Sequence, residues 1–249
     1  MKLRLTSFVI IPAMLLGMIA LTVFGSRAYG QNTTTSVRVD SAKVPSPEAM
    51  AKSDAEAEKK AGEWVGSLQL NDKEKEARLT AVISTHLKAV RDWNNTHPYT
   101  MVPAGIDPAT GKALSTMDRT IIANSAMPKT VHEELMAGLR KDLTEDQVAL
   151  ILDKYTIGKV AFTLQGYKAI VPDLTAQEEA TILANLQQAR EQAIDFKNAK
   201  QISAIFEIYK TKNEQYLISG GRNWHALFKA YVDAQKAKKA AKAADKPSK

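Results

Sequence analysis

The sequence predicts a mainly α-helical fold: one compact helical domain with a small β-hairpin at about residues 160–171 and a long Pro/Gly-containing loop. Three observations carry this. Apolar residues recur at three- and four-residue spacing through most of the chain beyond residue 70, which is the periodicity of an amphipathic helix. The same helix-start chemistry occurs three times, at Leu70-Asn71 with Glu74, Leu143-Thr144 with Gln147, and Leu174-Thr175 with Glu178. In each, the capping side chain accepts from the first turn and the residue three further on reaches back to the cap. One stretch departs from the pattern: apolar residues alternate on both sides of Gln165-Gly166, a connection suited to a tight turn.

Taken in order, residues 1–30 have the pattern of a secretory signal peptide. Lys2 and Arg4 precede an uncharged, mostly apolar run from Phe8 to Phe24, and Ala28-Tyr29-Gly30 supplies small residues before Gln31. The run is short for a membrane span of ~20 residues, so cleavage near Gly30 and a periplasmic or secreted bacterial location are expected. Residues 31–54 are rich in Thr, Ser, Pro and Ala and read as a flexible linker. Within it Asp40-Ser41-Ala42 resembles a short bacterial O-glycosylation signal.

The single helical domain is expected at residues 55–233. A helix after Asn71 runs to about Trp93, with Leu79, Val82, Ile83, Leu87 and Val90 on one face. Asn94 to Lys129 is polar and holds Pro98, Pro103, Pro108, Pro128, Gly105 and Gly111, and so long a connection is more often functional than passive. Within it, Asp107-Pro108-Ala109-Thr110-Gly111 has turn composition. Helical patterns return from Val131 to Arg140 and from Glu145 to Tyr155, where Leu143 and Val148 fit a hydrophobic staple. After the predicted hairpin, one long pattern extends from Thr175 toward Leu217, with Asn198 at a bend. Gly220-Gly221 caps its end, and a last helix covers Trp224 to about Gln235.

Charge argues against nucleic acid. Removing residues 1–30 leaves 31 basic and 27 acidic side chains, a net of +4. The Lys/Ala-rich tail at residues 234–249 carries six lysines and Asp245, and without it the body is −1. The basicity is a tail, expected to be solvated or to contact an anionic surface, and not a binding face.

The absence of cysteine excludes disulfides, thiolate metal sites and a cysteine nucleophile. His86, His97, His132 and His225 are the only histidines. The first two would stand ~16 Å apart on a continuous helix, and His132-Glu133-Glu134 lacks the second histidine of a zinc-protease helix. Neither a metal nor any other cofactor is expected. Gly105 to Gly111-Lys112 departs from a phosphate loop in spacing, in having Ala113 where a hydroxyl is needed, and in lacking a preceding strand. No strained serine elbow occurs, and no carboxylate pair stands out for glycoside hydrolysis.

The best constellation is aromatic and polar. Trp93, His97 and Tyr99 open the long loop, Arg119 lies within it, and Trp224 follows Arg222-Asn223. Rings with polar neighbours suit the C–H face and the hydroxyls of a sugar. These five residues are therefore the expected carbohydrate contacts, and Trp93→Ala is expected to abolish glycan binding with little change in melting temperature.

Three longer stretches resemble a known family together: Asn95–Pro128 (NTHPYTMVPAGIDPATGKALSTMDRTIIANSAMP), Ile151–Thr175 (ILDKYTIGKVAFTLQGYKAIVPDLT) and Gln201–Leu217 (QISAIFEIYKTKNEQYL). They are similar to exported bacterial proteins of unknown function described in terms of sugar binding. The resemblance spans roughly residues 58–233 and implies a carbohydrate-associated accessory protein without catalysis of its own. It transfers no active site. A second, shorter likeness joins Leu143-Thr144-Glu145-Asp146-Gln147 to the Leu-Thr-x-x-Gln signature of small periplasmic chaperones, but the same letters spell a capping box. An enzyme acting on polysaccharide fragments through Asp107 or Asp118, and a chaperone-like helical protein, are the alternatives.

Overall fold

The computed structural model describes residues 45–108 and 110–244, all within one unit, Val39–Lys249. The signal-like segment, Asp40-Ser41-Ala42, residues 31–44 of the expected linker and the last five residues lie outside the described residues. Among the described residues nine α-helices follow one another: α1 (Pro47–Gly66), α2 (Lys73–Thr96), α3 (Thr116–Ser125), α4 (Lys129–Asp142), α5 (Glu145–Thr156), α6 (Lys159–Ile170), α7 (Ala176–Ala193), α8 (Ala199–Ser219) and α9 (Trp224–Ala244). Helix α1 thus starts inside the stretch read as linker, and α9 continues into the Lys/Ala-rich tail. Among the described residues no helix is long and apolar enough to cross a membrane.

There is no strand among the described residues, and the expected hairpin is helix α6. The reason lies in which apolar residues are buried. Val160, Leu164, Tyr167 and Val171 pack into the core, a spacing of four, three and four, which is one helical stripe. Phe162, which completes the apparent alternation, points outward and is 80% exposed. A primed hairpin turn needs positive φ, and Gly166 is not among the positive-φ glycines. The positive-φ pair lies earlier, at Ile157 (φ 56°) and Gly158 (φ 64°), where α5 ends and α6 begins.

The expected long helix is also two. Helix α7 stops at Ile194, and Asn198 caps α8 by accepting from the backbone N–H groups of Lys200 and Gln201. The pair folds back on itself: Asn185 of α7 donates to Asn213 of α8 at 2.7 Å. The long loop is shortened by α3 and by a 3₁₀ turn at Tyr99–Met101. Ser115 and Asp118 form a capping box for α3. Between the 3₁₀ turn and α3, Gly111 N–H donates to Asp107 O at 2.8 Å, where a turn is expected.

Two of the three predicted caps are the observed capping boxes, at Thr144/Gln147 and Thr175/Glu178. The other moves one residue, because Asp72 accepts from Lys75 N–H while Asn71 takes positive φ. Gly221 (φ 91°) ends α8 as expected, with Arg222 N–H bonded to Leu217 O and Gly221 N–H to Ile218 O, the paired bonds of a Schellman motif.

The interior forms two apolar clusters. Residues of α1, α2, α4 and α5 build the first around Leu79, Ile83, Leu135, Leu139 and Ile151. Those of α6, α7 and α8 build the second around Ile182, Leu186, Ile205 and Leu217. Ile194 belongs to the first cluster and Phe196 to the second. The residue between them, Asp195, therefore sits at the seam.

Candidate functional site

A carboxylate in the α7–α8 turn is surrounded by groups that can hold it. Asp195 Oδ1 is 3.0 Å from His86 Nε2, and its Oδ2 is 2.9 Å from His132 Nδ1. His86 comes from the apolar face of α2 and is buried; His132 comes from α4 and keeps a quarter of its side-chain surface in contact with solvent. Asn124 of α3 donates to the backbone carbonyl of Asp195 at 2.8 Å. Behind it Asn94 donates to Asn124 (2.9 Å), and Gln201 donates to Asn94 (3.1 Å). Four separate helices and one turn are thus joined through polar side chains.

Burial alone would raise the pKa of Asp195, but hydrogen bonds and charge from His132 and His86 outweigh it and hold the carboxyl below its usual range. The hydrogen bond to Asp195 raises His132 against an opposing effect of burial, and the charges of Asp195 and Glu191 act in the same direction. Glu191 Oε1 lies 3.6 Å from His132 Nε2. With Asp195 ionised, both imidazoles present N–H to it. His86 Nδ1 is buried without a partner, as is the hydroxyl of Tyr155, whose ring meets His86 edge-on with centroids 5.4 Å apart. Burial and the negative charge of Asp195 keep that phenol protonated.

His132 opens outward into a cleft of about 310 Å³, whose walls include Asn124, Lys129, Glu133, Gln192, Asp195 and Phe196. A second concavity of about 320 Å³ adjoins it, lined by Gln188, Glu191 and Tyr209. Both share His132 and Gln192. Among the described residues, no three His, Asp or Glu side chains are grouped to hold a metal ion.

The residues expected as carbohydrate contacts are placed differently. Trp93 and His97 stack on each other, centroids 3.5 Å apart at 10°, and Trp93 Nε1 donates to Ala123 O of α3 at 3.1 Å. The Arg119 guanidinium lies 5.3 Å from the Tyr99 ring centre, and its Nε donates to Val102 O at 2.9 Å. These four gather at the junction of α2 and α3, with much of their bonding capacity used internally. Trp224 has other partners, packing on Tyr167 at 5.6 Å and Phe228 at 6.1 Å. Arg222 is taken up by a bidentate pair with Glu178 (2.9 and 2.8 Å) and by Asp173. Asp118 serves the capping box of α3.

Two signals for the Asp195 centre stood in the sequence. His86 interrupts an otherwise apolar helix face, and Asp195 lies between Ile194 and Phe196. A charge in such a place demands a partner, but the partners are 109 and 63 residues away and no local spacing marks them.

Residues 54–237 match the model of DUF3826, a family of proteins of unknown function. The chain belongs to that family. The DUF3826 segment begins inside α1 and ends inside α9, so every helix that frames the cleft falls within it. Comparison with curated proteins finds no match.

Proposed function

We propose that this DUF3826 protein is exported and binds carbohydrate in the cleft around His132. One observation supports the reading above others: the cleft and the concavity adjoining it together combine neutral amides, a histidine, carboxylates and a lysine with the rings of Phe196 and Tyr209. Sugar hydroxyls need donors and acceptors in alternation, and sugar C–H faces need apolar or aromatic surface. In this reading the Trp93, His97, Tyr99 and Arg119 cluster has a supporting part. Trp93 braces α3 through Ala123, and α3 carries Asn124 into the cleft wall.

The test is a panel of neutral oligosaccharides titrated against the purified protein and its Gln192→Ala and Tyr99→Ala variants. Gln192 lines both concavities, so its amide should contribute one or two hydrogen bonds to a bound sugar. Its loss should weaken binding roughly tenfold, about 1.4 kcal/mol, at unchanged melting temperature. Loss of binding on Tyr99→Ala alone would move the contact surface to the α2–α3 junction. No binding to any glycan by the unaltered protein would end the proposal.

A further inference from the structure

His132 stands where the two concavities meet, so a ligand crossing from one to the other passes its ring. Its Nδ1 is committed to Asp195, and its Nε2 lies beside Glu191, which lines the second concavity. Asp195 is in turn fixed from behind by His86 and at its backbone by Asn124. A carboxylate that orients an imidazole from one side and leaves the other nitrogen toward a cleft is the arrangement of a general base. We propose that His132 is the general base of a hydrolytic site that cleaves an ester carried on the bound carbohydrate. This rests on the carbohydrate reading above.

The bond class follows from the base. Glycoside hydrolysis uses a carboxylic acid and a second carboxyl across the bond, whereas the group that hydrogen bonding orients here is an imidazole. An ester carbonyl requires only that water be deprotonated as it attacks. His132 Nε2 takes a proton from water while the water oxygen bonds to the acyl carbon and the carbonyl electron pair moves onto its oxygen. As that pair returns, the bond to the ester's alkoxy oxygen breaks, and the imidazolium gives its proton to the departing alkoxide, a sugar alkoxide from an O-acetyl ester or methoxide from a methyl ester. Ester and water become acid and alcohol, and the imidazole is regenerated. Lys129 of α4 and Gln192 of α7 line the same cleft and can donate to the oxyanion. Asp195 is a positioning residue that stabilises the imidazolium.

The groups around His132 set its pH response. Asp195 from the α7–α8 turn and Glu191 from α7 both favour the protonated ring, while Glu133 and Lys129 share the cleft from α4 and His86 lies behind Asp195. The rising limb of activity should therefore fall above the ordinary histidine range.

The experiment follows acid release at constant pH from O-acetylated xylo-oligosaccharides and methyl-esterified oligogalacturonides, with binding and melting temperature measured alongside. His132→Gln should reduce kcat by about 10²–10³-fold with KM near that of the unaltered protein, and should lower the melting temperature by no more than the loss of one charged hydrogen bond to Asp195 implies. Asp195→Asn should lower kcat and move the rising limb to lower pH, which a merely structural loss would not do. If Asp195→Asn fails to fold, His132→Gln decides alone, since that side chain is partly in solvent. Equal turnover in His132→Gln, or an ultraviolet-absorbing unsaturated product from elimination, would overturn the assignment. Sugars that bind and remain esterified would sink this inference and leave the carbohydrate reading intact. Absence of binding would remove both.

Discussion

Asp195 accepts on each carboxylate oxygen, from His86 and from His132, and this ties its contribution to stability to pH from two sides. The Asp195 pKa is lowered in the folded protein, so its contribution is present above the unfolded carboxylate value of about 3.9 and fades as pH falls through the lower folded one. The His132 pKa is raised. Its contribution is complete below the unfolded imidazole value of about 6.5 and is lost as pH rises through the higher folded one. The two windows overlap between those unfolded values. The stability difference between the unaltered protein and Asp195→Asn should therefore be widest there, about 1.5–3 kcal/mol for hydrogen bonds to a charged group, and narrow toward alkaline pH. Urea unfolding at a series of pH values measures it; a difference independent of pH would show that proton linkage is absent. At this scale the sequence made the need visible in His86 and Asp195 but not the pairing. Trp93 shows the converse. Its position at a helix end was legible, but the partners that occupy its ring and its N–H, His97 and Ala123, depend on how the next thirty residues fold back.

Helix α6 shows how an element can be misread from a sound local pattern. Val160, Phe162 and Leu164 alternate, and four of twelve residues cannot distinguish a period of two from one of 3.6 when a glycine sits between two apolar runs. Burial settles it, because the core neighbours accept the four-three-four stripe and leave Phe162 outside. The capping boxes were more legible, since the physics of a helix start is confined to four residues. Helix α3 was hidden among prolines and glycines although Ser115-x-x-Asp118 carries the same chemistry with Asp in place of Glu. Packing between elements supplies a sharper case. A Cβ at Gly138 would come within 2.7 Å of Val82 Cγ1, so α4 crosses α2 at a distance that only glycine allows. Gly138→Ala should destabilise by about 1–3 kcal/mol from overpacking, despite a helix propensity that favours alanine by about 1 kcal/mol. Val82→Ala in the same chain should recover part of that loss. Thermal unfolding of the two single variants and the double variant checks this; strict additivity would mean that the two side chains do not meet.

At the scale of the whole molecule, helical content and absence of disulfides were readable from periodicity and composition, whereas the division into two apolar clusters was not. Which helix pairs with which depends on contacts far apart in sequence, such as Arg190 of α7 bridging to Asp153 and to Ala149 O of α5 at 2.9 and 3.2 Å. The seam between the clusters, where Asp195 sits, is also where the cleft opens, and polar groups at a seam can be both structural and reactive without breaching either core. Charge divides the chain differently. Its body is −1 and its last sixteen residues are +5. The described part of that tail continues α9, and every residue from Asp233 to Ala241 is exposed. A helical segment with no burial contributes little to global stability, because isolated Lys/Ala turns are marginal in water. Truncation after Asp233 should therefore change unfolding free energy by no more than about 0.5 kcal/mol. The same truncation should abolish any salt-sensitive retention on an anionic polymer or vesicle, since six lysines leave with it. Denaturant unfolding and retention at low and high salt measure the two separately. A stability loss well beyond that figure would place part of the tail in the packing of the domain, and unchanged retention would locate the anionic contact on the body.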